Sequence, residues 1–193
     1  MIEQETNPKW FYKPLVVDNL SDIQSEIIPF IYKKIPDFDT ATPQFVYVKR
    51  DEIESTVPSY VKYIDSLGLL DKWVWCAIIT TNAGYEFPIH VDSYDWKVRC
   101  YGLNLPIINC EGTYTVWYDA EIEGEMFNKD NDPRHYARSI KPDTIAIEIG
   151  RWDMSNPAWI NTSIPHRPVS THNKPRAIIS ARFRPELHDL LYT

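Results

Sequence analysis

The sequence predicts a mainly β fold, a sandwich or barrel of short strands behind a helical N-terminal segment. Two observations carry this. From Lys72 onward, runs rich in β-branched and aromatic residues recur at short intervals, separated by Gly, Pro and Asn turn signals. The chain also carries 15 Pro, which cut it into segments too short for long helices.

The opening strand is expected over Trp10 to Asp18. Ser21 to Gln24 has the Ser-x-x-Gln form of a capping box, so a helix is expected to start near residue 21, to kink at Pro29 and to end before Pro36. A second helix is expected over Pro58 to Leu67, with Gly68 as terminator. Strands follow at Trp73 to Thr81, Lys97 to Ile108, Thr113 to Tyr118, Thr144 to Ile149, Trp159 to Val169 and Arg176 to Phe183. The breaks between them are Asn82 to Gly84, Asn109 to Gly112, Lys141 to Asp143 and Asn173 to Pro175. Asp119 to Arg138, acidic and rich in Asn, reads as a long loop inserted in the β region, a placement typical of lids. A chain of 193 residues is expected to form one domain, with residues 1–70 as the strand and buttressing helices and 71–193 as the β core.

Composition narrows the class. Apolar residues are 44% and aromatics 13%, enough for a packed core and against disorder. A net charge of −7 without a Lys/Arg block argues against a dedicated nucleic-acid binder. Cys76, Cys100 and Cys110 show no zinc spacing and read as buried thiols of a reducing compartment. The start Met1 to Thr6 lacks a basic region followed by an apolar run, and no apolar stretch is long enough to span a membrane, so the expected location is the cytoplasm.

The chemistry concentrates in His90-Val91-Asp92 and in His166 of Ile164-Pro165-His166-Arg167-Pro168. Two imidazoles and a carboxylate hold non-haem Fe(II) on one face of an octahedron and leave the other positions open. Residues two apart in a strand point the same way, so His90 and Asp92 can chelate one ion, with His166 arriving from a distant strand. An HxD match alone arises by chance in many chains. The Pro-flanked His166 and Arg176, ten residues further on, are what make it specific. His135, His172 and His188 lack such context and read as solvated. Trp117, Trp152 and Trp159 read as core or rim packing.

This constellation resembles that of the Fe(II)/2-oxoglutarate-dependent dioxygenases, whose pattern is HxD, a distal His, and an Arg or Lys about ten residues beyond it. The resemblance covers roughly residues 71 to 187. Phe183 to His188 is also similar to the close of the aspartyl/asparaginyl β-hydroxylase-like branch, although an intact Asp92 departs from members that lack the carboxylate ligand.

The resemblance implies a double-stranded β-helix, a jelly-roll of cupin-like type, with two or three N-terminal helices packed on one sheet. It implies Fe(II) at His90, Asp92 and His166, with 2-oxoglutarate as cosubstrate and O₂ as oxidant. Arg176 is then the anchor of the distal carboxylate, since a planar guanidinium matches a carboxylate with two hydrogen bonds. Arg182 shares its face but lies roughly 20 Å away by strand rise, so both cannot serve one small anion. On the strand after HxD, one face presents Arg99 and Tyr101 and the other Asn104. Either set can line the interior and contact the cosubstrate. The implied activity is hydroxylation of an unidentified substrate, with a protein side chain or a small metabolite favoured over a nucleic acid. The alternatives are a cupin-like metal enzyme of other chemistry, which usually has three His, and a jelly-roll binding module that is no enzyme.

Overall fold

The computed structural model of the chain describes residues 11–40, 43–82, 84, 87–92, 101–122, 126–127, 137–141, 143–171 and 173–183. Two six-stranded antiparallel sheets face one another, and together they form the double-stranded β-helix.

The first sheet contains β1 (Tyr12–Pro14), β2 (Gln44–Val48), β3 (Trp73–Thr81), β5 (Tyr101–Ile108), β10 (Ala158–Asn161) and β12 (Arg176–Phe183). Their spatial order is β1-β10-β5-β12-β3-β2. The second sheet contains β4 (His90–Val91), β6 (Thr113–Asp119), β7 (Met126–Phe127), β8 (Ala137–Ser139), β9 (Ile147–Asp153) and β11 (His166–Ser170). Their order is β7-β8-β4-β11-β6-β9.

Three helices, α1 (Leu20–Lys34), α2 (Arg50–Thr56) and α3 (Pro58–Ser66), accompany the sheets. The buried residues of α1 are Ile23, Ile27, Phe30 and Ile31, the i, i+4, i+7, i+8 spacing of one helix face. They share a core with Cys76, Ile78, Leu103, Leu105, Ile179 and Ala181, so the helices cover the outer face of the first sheet. The Gln24 amide ties α1 to that sheet by donating to the Pro106 carbonyl at 2.9 Å.

Strand alternation then dictates the inner face. On β12 it carries Arg176, Ile178, Ser180 and Arg182, and their cross-strand partners on β3 are Thr81, Ile79, Ala77 and Trp75. Between the sheets lies a second core of Cys110, Trp117, Trp152, Met154, Ala158, Ile160 and Ile178. Phe11 stacks on Trp117 with ring centroids 5.5 Å apart. Cys76 and Cys110 are buried free thiols. No helix among the described residues is long and apolar enough to cross a membrane.

Several elements differ from expectation. The helix begins at Leu20, so Ser21 lies inside it and caps nothing; the preceding Asn19 instead donates its amide to the Ser59 carbonyl. α1 otherwise has the expected extent, with Pro29 inside it and its end at Lys34, before Pro36. β2 and α2 fill residues for which the sequence pattern suggested no element. The run expected as one strand from Trp159 to Val169 is two strands in different sheets. The break is an Asx turn, in which Asn161 Oδ1 accepts from the Ser163 amide at 3.1 Å and its hydroxyl at 2.6 Å. Within 119–138, Met126–Phe127 pairs with Ala137–Ser139 as a short ladder; residues 123–125 and 128–136, most of the expected lid, lie outside the described residues.

Ile27 is fully buried, and truncating it to Ala should cost about 2–5 kcal/mol in denaturant unfolding. Ile147→Ala, on an exposed edge strand, should change stability by less than about 0.5 kcal/mol. Equal losses would contradict the placement of the helix-facing core.

Candidate metal centre

The site forms where β4 ends. His90 is the cross-strand partner of His166, the first residue of β11. Their imidazole centroids lie 4.7 Å apart. Asp92 follows directly, and its amide donates to the Thr162 carbonyl at 2.9 Å, which fixes the chain as it leaves the strand. One potential ligand atom from each of His90, Asp92 and His166 lies within 4.8 Å of the others. Both imidazoles are buried and Asp92 is partly exposed.

The tautomers follow from the backbone. His90 Nδ1 lies 2.8 Å from the Pro88 carbonyl, and His166 Nδ1 lies 2.9 Å from the Ile164 carbonyl. A carbonyl only accepts, so each Nδ1 carries a hydrogen and each neutral ring presents a bare Nε2 lone pair. His90 Nε2 lies 3.3 Å from Asp92 Oδ1. Two acceptors at that separation repel unless a cation stands between them. A proton satisfies this in the bare protein, and a divalent metal could satisfy it with His166 as third ligand.

The electrostatics agree. Burial lowers the His90 pKa, but the hydrogen bond and charge of Asp92 outweigh it, and the net shift is upward. Burial raises that of Asp92, yet the His90 hydrogen bond and the charges of His90, His166 and Arg182 hold it well below the usual carboxylate range. His166 is lowered to about 4, chiefly by burial and then by His90. It is a neutral imidazole at physiological pH.

Two arginines share the inner face of β12, with opposite hydrogen-bond inventories. Arg182 Nη2 donates to Asp92 Oδ2 at 2.9 Å, and its Nη1 donates to the Ser180 hydroxyl. Arg176 is 1% exposed, and its Nε and Nη1 have no partner among the described residues. The hydroxyl of Thr81, directly across the strand pair, is likewise buried without one. Burial lowers the Arg176 pKa to about 10, so the group remains a cation. A buried guanidinium with open donors beside an open hydroxyl could receive an anionic oxygen ligand.

Asn104 faces the interior and accepts from the Ser180 hydroxyl at 2.6 Å. Tyr101 lies on the opposite face of the same strand, in the helix-facing core. Arg99 lies outside the described residues, as do His135, His172 and His188. Trp117 is an interior residue whose indole donates to the Asn161 carbonyl at 2.8 Å, and Trp152 packs in the same core. Trp159 belongs to the helix-facing core. Sequence reasoning had no signal for Thr81 or Gly102. It had one for Arg182, which shares the alternation of Arg176.

No protein-family model matches the sequence, and no curated protein matches it. Solved structures do match in fold. A Pseudomonas putida prolyl-4-hydroxylase is 8% identical with a TM-score of 0.53, covering 92% of this chain and 94% of that one. A Trichoplax adhaerens prolyl hydroxylase, solved with a hypoxia-inducible-factor oxygen-degradation-domain peptide, is 12% identical with a TM-score of 0.52, covering 96% and 89%. E. coli ycfD is 13% identical with a TM-score of 0.44; 81% of this chain aligns, and it spans only 38% of ycfD. The chain spans 27% of Bacillus subtilis oxalate decarboxylase. At these identities the likeness is one of fold.

In metal-free protein, His166 should stay neutral down to about pH 4. Its folded pKa lies below the unfolded ~6.5, so its contribution to stability holds above pH ~6.5 and is lost as pH falls towards 4. His90, raised, contributes in the opposite sense: its stabilisation is present below pH ~6.5 and is lost as pH rises through its folded value. NMR titration of the two imidazoles checks this, and a His166 that titrates near 6.5 would contradict it.

Proposed function

We propose that the chain is a non-haem Fe(II)- and 2-oxoglutarate-dependent dioxygenase that hydroxylates a protein side chain or a small metabolite. The observation that carries this reading is the pairing of two incomplete sites on one barrel interior. At one end, three ligand atoms face each other with a cation wanting between them. At the other end of β12, a buried guanidinium and a threonine hydroxyl want an anion.

A keto acid with a second carboxylate offers chelating oxygens to the one and an anionic group to the other. The roughly 20 Å of strand rise separates the Cα positions of Arg176 and Arg182, not their guanidinium groups. His90, Asp92 and His166 would hold the metal, which when bound supplies open coordination positions for O₂ chemistry. Arg176 would pair with the distal carboxylate, with the Thr81 hydroxyl donating to the same group. Asn104 and Ser180, between the two ends, would line the path of the cosubstrate. The helix-facing position of Tyr101 leaves the Gly102 and Asn104 face as the lining. The dry interior around Trp117 and Ile178 would keep bulk water from the reacting centre.

The prolyl hydroxylases that share the fold support the superfamily reading, and the peptide in one of them favours a protein side chain as substrate. Nothing in the comparisons supports the narrower aspartyl/asparaginyl β-hydroxylase-like branch. The carboxylate at Asp92 weighs against a three-His cupin of other chemistry.

Calorimetry of 2-oxoglutarate binding, anaerobic and with Mn(II) in place of Fe(II), tests the assignment. Arg176→Met should leave Mn(II) binding intact and weaken 2-oxoglutarate by about 2–5 kcal/mol, roughly 30-fold or more. Thr81→Val should weaken it less, by about 0.5–1.5 kcal/mol. Unchanged affinity in Arg176→Met would show that the anchor or the cosubstrate is wrong.

A further inference from the structure

We propose that Arg182 is a positioning residue for the metal site: its guanidinium, seated between Trp75 and Gly102, occupies Asp92 Oδ2 so that only Oδ1 faces the metal. The inference rests on the metal-binding reading above.

A guanidinium that is 7% exposed needs a built setting, and the neighbouring strands provide one. Arg182 pairs across β3 with Trp75 and across β5 with Gly102. Its Cζ lies 5.3 Å from the Trp75 ring centroid, within cation–π range. On the other side, a Cβ at residue 102 would lie 2.1 Å from Nη1 and 2.6 Å from Cζ. The backbone of Gly102 is outside the left-handed region that favours glycine, so the glycine is there for space and not for its φ. A guanidinium confined on both sides has few alternative rotamers, and this one aims Nη2 at Asp92 Oδ2.

The donors of Arg182 are committed in sequence. Nη2 donates to Asp92, Nη1 donates to the Ser180 hydroxyl, and that hydroxyl in turn donates to Asn104 Oδ1. Arg182 is therefore not a second anion receptor, unlike Arg176. Its consequence lies at the metal. A free carboxylate can bind an ion through both oxygens and take two coordination positions. With Oδ2 held by a charge-assisted hydrogen bond, Asp92 takes one position. Two imidazoles and one carboxylate oxygen would then leave a bound metal open to a bidentate keto acid and to O₂ chemistry. Gly102, Trp75, Ser180 and Asn104 all serve this one orientation.

The test compares wild type, Arg182→Met, Gly102→Ala and the double variant, with Mn(II) affinity measured by anaerobic calorimetry and the Co(II) visible spectrum as a coordination readout. Thermal unfolding of the metal-free proteins establishes that each is folded. Arg182→Met and Gly102→Ala should each weaken Mn(II) by about 10- to 100-fold. Each should also change the Co(II) spectrum, a signature that a purely structural role would not move. The double variant should be no worse than Arg182→Met, because Gly102 acts only through the guanidinium. Folded variants with wild-type Mn(II) affinity and an unaltered Co(II) spectrum would overturn the proposal, as would additive losses in the double variant. Should Arg182→Met not fold, Gly102→Ala, which keeps the guanidinium, decides alone. Wild type that binds neither Mn(II) nor Co(II) would instead remove the metal reading itself.

Discussion

The antiparallel pairing of His90 with His166 is the contact on which the site depends. It brings together residues that are far apart in sequence and points both rings to one side of the second sheet. Each ring spends its Nδ1 hydrogen on a carbonyl two residues back in its own chain. That leaves both Nε2 lone pairs and the Asp92 carboxylate converging with no hydrogen bond donor of their own between them. The chain has thus assembled an acceptor-only cluster inside a largely apolar barrel. Such a cluster is costly in isolation and favourable around a cation.

β12 extends the same logic along the barrel. One strand face carries two buried arginines, separated by roughly 20 Å of strand rise, and their surroundings divide the labour between them. Arg182 donates to Asp92 and Ser180 and is confined by Trp75 and Gly102. Arg176 is buried beside Thr81 with donors open. A committed guanidinium can orient, and an open one can bind. The difference is visible only once the partners are placed, because alternation along the strand treats the two residues alike.

Much of the fold was legible because its central strands are buried on both faces. Trp73–Thr81 and Arg176–Phe183 read as continuous β-branched and apolar runs, and the structure keeps both sets of bounds. The edge strand Gln44–Val48 was not legible, since it sits among Pro residues with no turn pair to frame it. The join between Trp159 and Val169 was misread because the Asn161 Asx turn that moves the chain between sheets is hidden in an otherwise strand-like run. At the site, the shared side of His90 and Asp92 followed from the period of two within a strand, and His166 was picked out by its flanking Pro residues and by Arg176 ten residues on. The face of Arg182 was legible too, but its partner Asp92 and the place of Thr81 were not, because they depend on how the strands pair and not on either segment.

The central claim is that the three acceptors are one metal site opening on an anion receptor at Arg176. Anomalous diffraction from crystals grown with Mn(II) and 2-oxoglutarate, without oxygen, tests it directly. One anomalous peak is expected within coordination distance of His90 Nε2, His166 Nε2 and Asp92 Oδ1, with keto-acid density running from it to the Arg176 guanidinium. A protein that crystallises with no peak between those three atoms, or with a peak there and the carboxylate far from Arg176, would contradict it.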